Sequence, residues 1–179
     1  MAGAGIRHTR MRWSGSRFRL AMTQWTRITS VLIVALSVCG AAVAEPRVRV
    51  IDGDGLAIEG VIIRLWGIDA PELDQTCTAN GRQIHCGKDA RFLLEALVVH
   101  AGLVCETKDV DRYGRTVAQC FADGTDLAGE LVRQGYALDW PRYSDGHYAK
   151  QQAEARKKRR GLWAGEFREP WEWRKRRDK

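Results

Sequence analysis

Apolar and polar positions alternate along residues 47–52 (RVRVID), the period-two pattern of a strand with one buried face. GLAIEGVIIRLWGI, residues 55–68, alternates on both sides of Glu59-Gly60 and predicts a tight hairpin turning there. Within it Ile63 and Leu65 share one face, while Arg64 and Trp66 share the other. Residues 73–87 are polar, with two cysteines and two glycines, and predict a loop. The period then changes. KDARFLLEALVVHAG places Ala90, Leu93, Leu94 and Leu97 on one helical face and stops at Gly102. LVCETK and RTVAQCFA predict two more strands joined by the turn DVDRYG. TDLAGELVRQG predicts a short helix with an Asp/Thr start and a Gly stop, and YAKQQAEARKKRRG a second, very polar one, also ended by Gly.

Five short strands, with a helix after the third and two more at the end, predict a mainly β, α+β fold: a small closed barrel with helices attached. There is no internal repeat and no low-complexity linker.

The formal charge of +7 invites a nucleic-acid reading, but its distribution weakens that inference. Residues 1–44 hold six arginines and no acid, which leaves 23 basic against 22 acidic side chains in residues 45–179. Residues 156–179 carry 11 basic and 4 acidic groups, so the body before them is mildly acidic. The first segment is explained by transport. ITSVLIVALSVCGAAVA, residues 28–44, is apolar and ends in the small-x-small triplet Ala42-Val43-Ala44, predicting a signal peptide over 1–44 cut after Ala44. Met22 would begin a more typical signal, and an uncleaved membrane anchor over 28–44 is the alternative. The expected organisation is this signal, a folded domain over 45–163 and a basic aromatic tail over 164–179.

Removing the signal discards Cys39 and leaves Cys77, Cys86, Cys105 and Cys120, an even number that fits two disulfides in an exported domain. Cys105 and Cys120 lie symmetrically about DVDRYG, so a hairpin there pairs them and leaves Cys77 to close a short loop with Cys86. Zinc would need CxxC-type spacing or nearby histidines, and His85 is the only hint of one.

RLWGIDAPE, residues 64–72, crowds Arg64, Asp69 and Glu72 onto one strand end, ten residues after IDGDG with Asp52 and Asp54. A guanidinium on a rigid strand can grip phosphate or carboxylate through its planar fork. Carboxylates that converge at strand ends need a cation, and hard oxygen ligands suit Ca²⁺ or Mg²⁺. DRYGR adds Arg112, Tyr113 and Arg115 on a turn. Two arginines from separate hairpins, a carboxylate metal site and a free glutamate are what metal-assisted phosphodiester hydrolysis requires.

VIDGDG, RLWGIDAPE, the helix beginning CGKDA, DRYGR, ELVRQGYA and ARKKRRGLW occur in that order between Val48 and Trp163. Together they resemble the exported bacterial type of the staphylococcal-nuclease-like, or thermonuclease, family. The resemblance implies a five-stranded OB-fold barrel with three helices, and a secreted Ca²⁺-dependent nuclease that cleaves DNA and RNA with little sequence preference. It implies no stable protein partner. Its metal carboxylates fall on Asp54 and Asp69, with the backbone carbonyl of Ala70 as a further ligand. The carboxylate that positions water falls on Glu72, and the two phosphate-binding arginines on Arg64 and Arg115. Asp52 matches an acidic position near the metal. Arg112 and Tyr113 match positions flanking bound nucleotide, and Tyr143 a nucleotide-side tyrosine.

Two positions depart from the family's pattern. Gly55 stands where threonine is usual, which removes a hydroxyl near the metal and loosens the turn; Ala70 stands where threonine is common, but a carbonyl ligand survives that change. The competing reading is an inactive nuclease-like binding module, and Arg64, Glu72 and Arg115 together argue against it. The basic helix 150–160 and FREPWEWRK could contact nucleic acid, although packing of Trp163, Phe167, Trp171 and Trp173 back onto the barrel is the favoured reading. Arg133 is read as an ion-pairing residue, and His100 and His147 as surface residues.

Overall fold

The structure, a computed structural model, describes residues 47–177. The expected signal peptide, its cut after Ala44, the alternative start at Met22 and Cys39 lie outside the described residues. Among the described residues no helix is long and apolar enough to cross a membrane.

The first hairpins form as the alternation predicts. Strand β1 (Val48–Val50) pairs with β2 (Gly55–Ile58), and β2 turns at Glu59-Gly60 into β3 (Val61–Leu65). Both turn residues have positive φ, 49° and 85°, the backbone that a two-residue hairpin turn requires. The short β4 (Ile68–Asp69) follows. The segment expected as a loop instead forms a second hairpin, β5 (Cys77–Ala79) and β6 (Arg82–Ile84). Its turn is Asn80-Gly81, again with both φ positive, and that dipeptide outweighs the polarity of the flanking residues.

Helix α1 (Cys86–Val98) ends four residues before the Gly102 stop. Val99 is extended and His100 left-handed at φ 57°, so the chain has already left the helix. Its buried stripe is Ala90, Leu94 and Val98, with Leu93 and Leu97 half-buried beside it. Strands β7 (Leu103–Val110) and β8 (Thr116–Ala122) flank the DRYG turn, and β8 continues into β9 (Thr125–Asp126). Helix α2 (Leu127–Arg133) is capped by Asp126, whose side chain accepts from Gly129 N–H, and Gly135 follows it at φ 76°. Then come β10 (Leu138–Asp139), α3 (Pro141–Ser144), α4 (Ala149–Lys157), a 3-10 turn over Gly161–Ala164, β11 (Gly165–Glu166) and α5 (Pro170–Arg177).

The main sheet runs β1-β2-β3-β8-β7, with β9 attached to β8. All its ladders are antiparallel except β3–β8, where Ile63, Arg64 and Leu65 face Thr116, Val117 and Ala118 in parallel. This five-strand path with helices packed against it is the expected mainly β, α+β architecture. Leu56, Ile63, Leu65 and Ile68 meet Leu94 of α1 and Leu127, Leu131 and Val132 of α2 in one core. A second cluster joins Cys77, Cys86, Leu138 and Leu162 to Trp163, Phe167 and Trp171. Those aromatic residues therefore pack inward. Arg133 pairs with Glu130, and His100 and His147 are exposed.

Both expected disulfides are present. Cys105 and Cys120 face each other in the β7–β8 register, and Cys77 joins Cys86 across the second hairpin. Closing the 15-residue separation between Cys105 and Cys120 constrains the unfolded chain by about 3 kcal/mol. A Cys105→Ala/Cys120→Ala variant is expected to lose about that much in urea unfolding, and an unchanged midpoint would refute the contribution.

Candidate active site

Asp54 lies in the turn from β1 to β2, between two glycines. A Cβ on Gly53 would come within 2.7 Å of the Ala70 Cβ and 2.8 Å of the Ala90 Cβ, so only glycine lets this turn press against α1 and the chain after β4. Gly55 does not have positive φ, so it does not supply the turn with unusual freedom as expected. A side chain there would instead meet Asp52 Oδ1 at 2.6 Å. The glycine leaves room for that carboxylate, which accepts from Asp54 N–H at 3.3 Å.

Arg64, on β3, reaches across to both buried acids. Its Nη2 lies 2.9 Å from Asp54 Oδ2 and 2.8 Å from Asp69 Oδ1. Asp69 is wholly buried at the end of β4, and Ala70 N–H donates to Asp54 Oδ2 at 3.2 Å. Glu72 is half-buried two residues on. Its backbone is tied to Gln75: Glu72 N–H donates to Gln75 Oε1 at 3.2 Å, and Gln75 N–H donates to Glu72 O at 2.7 Å. At Gly87 a Cβ would fall 1.8 Å from Glu72 O, so the start of α1 can close on this loop only through a glycine.

The parallel β3–β8 pair brings the DRYGR turn alongside Arg64. Arg115, just before β8, is held by Asp111, which accepts from its Nε at 2.7 Å and its backbone N–H at 2.9 Å. Two guanidinium groups lie against the Tyr113 ring, Arg112 at 4.7 Å and Arg115 at 5.6 Å from its centroid. Asp52, Asp54, Arg64, Ala70, Glu72, Arg112, Tyr113, Arg115 and Tyr143 all border one cleft of about 990 Å³, and Asp69 lies beneath Arg64. The structure thus gathers every residue singled out for the site.

It also adds residues that the sequence reading did not assign. Arg174 of α5 donates from Nη1 to Glu72 Oε1 at 2.7 Å and to Asp69 Oδ1 at 3.0 Å, and from Nη2 to Asp69 Oδ2 at 2.8 Å. Trp140 stacks on Trp171 with ring centroids 6.0 Å apart and lies under both Arg64 and Arg174. The available signal was the spacing in PWEWRK, where Trp171 and Arg174 share one helical face.

Burial pushes the Asp54 carboxyl up to about 6; Arg64 opposes this, while Asp52 and Glu72 reinforce it. Burial also raises Asp69, against the hydrogen bond from Arg174. Burial alone would lower Arg64, but Asp54 and Asp69 outweigh it and the net direction is upward. Folded Asp54 therefore keeps a proton that the unfolded chain, with a value of 3.8, has already lost. Its contribution to stability is present below 3.8 and disappears as pH rises through about 6. In chelator, Asp54→Asn should gain stability relative to wild type as pH rises from about 4 to about 6.5. A stability difference that stays flat across that range would contradict the burial of this charge.

Among the described residues, no group of three or more His, Cys, Asp or Glu side chains is arranged to hold a metal ion. The chemistry of the smaller donor set nevertheless fits a hard divalent cation. Asp54 and Asp69 are buried oxygen donors joined by one guanidinium, and the backbone at Ala70 adjoins them. Buried carboxylates beneath an arginine-lined, aromatic cleft are suited to an anionic ester whose charge must be neutralised while water attacks.

Comparison with known proteins gives the family. Residues 62–165 match the family described as Staphylococcal nuclease homologue. The chain is 37% identical over 151 residues to the succinoglycan biosynthesis protein ExoI of Rhizobium meliloti, covering 81% of this chain and 79% of that protein. It is 33% identical over 173 residues to protein ParB of Escherichia coli, covering 87% and 92%. It is 32% identical over 145 residues to the micrococcal nuclease of Shigella flexneri, covering 72% and 78%. The chain belongs to the staphylococcal nuclease homologue family.

Proposed function

We propose that this protein is an exported, calcium-dependent nuclease that hydrolyses phosphodiester bonds of DNA and RNA with little sequence preference, acting as a monomer. The observation that carries the reading is the convergence of Arg64, Glu72 and Arg115 on one cleft above the buried pair Asp54 and Asp69. Asp54, Asp69 and the Ala70 carbonyl would hold the cation, which when bound supplies positive charge against the phosphate oxygens. Arg64 and Arg115 neutralise the remaining charge that builds on the phosphoryl group. Glu72 orients a water and takes its proton. The water oxygen bonds to phosphorus, the P–O5′ bond breaks, the departing O5′ takes a proton from solvent, and the products are a 3′-phosphate and a 5′-hydroxyl. Tyr113, Tyr143 and Arg112 line the same cleft and would flank the bound nucleotides. Export rests on the apolar segment 28–44 and agrees with two disulfides in the folded domain.

Labelled single- and double-stranded DNA and RNA, incubated with Ca²⁺, Mg²⁺ or chelator, test this directly. Hydrolysis is expected with Ca²⁺ and to be weak with Mg²⁺, whose octahedral demand is stricter. Full hydrolysis in excess chelator would remove the metal from the mechanism. Tight binding without cleavage under every condition would instead identify an inactive binding module.

A further inference from the structure

The carboxylate of Glu72 has one hydrogen-bond partner among the described residues, and it comes from the far end of the chain: Arg174 Nη1, at 2.7 Å from Oε1. Residue 174 lies beyond the 62–165 span matched by the family. We propose that Arg174 is a positioning residue for Glu72, supplied to the active site by α5. The inference rests on the nuclease reading above and assigns that reaction a further residue.

A glutamate with three rotatable bonds, 29% exposed, would sample several rotamers if nothing restrained it. Arg174 restrains it from a fixed platform. Its other contacts, at 3.0 and 2.8 Å, engage both oxygens of wholly buried Asp69, so the planar fork is set against a rigid partner. The platform is anchored to the loop it serves. Buried Gln75 accepts from Glu72 N–H and donates from Nε2 to Arg168 O at 2.7 Å, joining that loop to the entry of α5. Pro170 is buried, Trp171 stacks on Trp140, and Arg177 meets Asp74 at 2.9 Å.

Positioning and masking make opposite demands on the two carboxylate oxygens. Arg174 binds Oε1, and no hydrogen bond reaches Oε2 among the described residues. One oxygen is held and the other is left for water, which is the geometry of a braced base.

The test uses the whole exported chain and two readouts. In steady-state hydrolysis of a single-stranded oligonucleotide with Ca²⁺, Arg174→Ala should lower kcat about ten- to a hundredfold, the scale of a misplaced catalytic group, with KM within about threefold. Arg174→Lys should recover only part of that loss, because a point charge cannot reproduce the fork. Arg174→Gln, which keeps most of the stem's packing, is measured beside them in case the alanine variant folds poorly. Independently of turnover, the melting temperatures of Arg174→Ala, Glu72→Ala and the double variant in chelator should be non-additive if the pair exists in solution. Additive shifts would overturn the contact. Undiminished or increased kcat in folded Arg174→Ala or Arg174→Gln, with wild type active, would overturn the positioning role and identify Arg174 as a mask. A wild type inert on every substrate and cation would sink the nuclease reading, and the catalytic role of Arg174 with it, whatever the melting temperatures show.

Discussion

Glu72→Gln is expected to lower kcat by about two to four orders of magnitude, the usual contribution of a positioned general base. The amide keeps the length and shape of the side chain. Its carbonyl can still accept from Arg174 Nη1, so the geometry around Asp69 should survive. What disappears is the negative charge that, in the proposed mechanism, draws a proton from the attacking water. Oligonucleotide affinity should change little, because in the proposed mechanism phosphate is held mainly by Arg64, Arg115 and the cation. The decisive comparison is kcat against equilibrium binding, the latter measured with a non-hydrolysable phosphorothioate strand. Turnover near that of wild type would show that another group handles the proton.

Arg64→Ala should have the largest effect on the folded state. Arg64 is the shared partner of Asp54 and Asp69, the first 5% exposed and the second 0%. Removing one member of a buried ion pair leaves charge without compensation and typically costs about 3–5 kcal/mol. Arg174 still reaches Asp69, but no hydrogen bond joins it to Asp54 among the described residues. The variant should therefore be strongly destabilised in chelator at neutral pH. Calcium should return part of the loss, since a bound cation stabilises the folded state by mass action and replaces the missing charge. Urea unfolding with and without Ca²⁺ reads both effects. Equal stability of variant and wild type in chelator would show that the two acids are not ionised together.

The residues that were legible in the sequence are those whose partners are close along the chain. Arg64, Asp69 and Glu72 lie within one nine-residue motif, and alternation on β3 fixed which way Arg64 points. Cys105 and Cys120 were legible because a hairpin imposes symmetry about its turn. The second hairpin was missed although Asn80-Gly81 marks it, because its strands are short and polar and rely on a disulfide and on β11 for support. Helix α1 was found by its period but not its end, since His100 takes the left-handed conformation more often reserved for glycine. Arg174 was out of reach for a different reason. Its partners lie 102 and 105 positions away, and nothing in local periodicity relates PWEWRK to RLWGIDAPE.

On the proposed reading, the parallel pairing of β3 with β8 also determines when a growing chain could first cut nucleic acid. Arg64 and Arg115 come to line one cleft only after the whole intervening stretch, the β5–β6 hairpin, α1 and β7 included, has been made and folded back. Such long-range ladders close late, because the entropy of the large loop must be lost before any contact repays it. A chain threaded across a membrane in unfolded form would carry no assembled cleft through the cytoplasm. The messenger that encodes it, and the genome beside it, would be exposed only to separate fragments of the catalytic machinery.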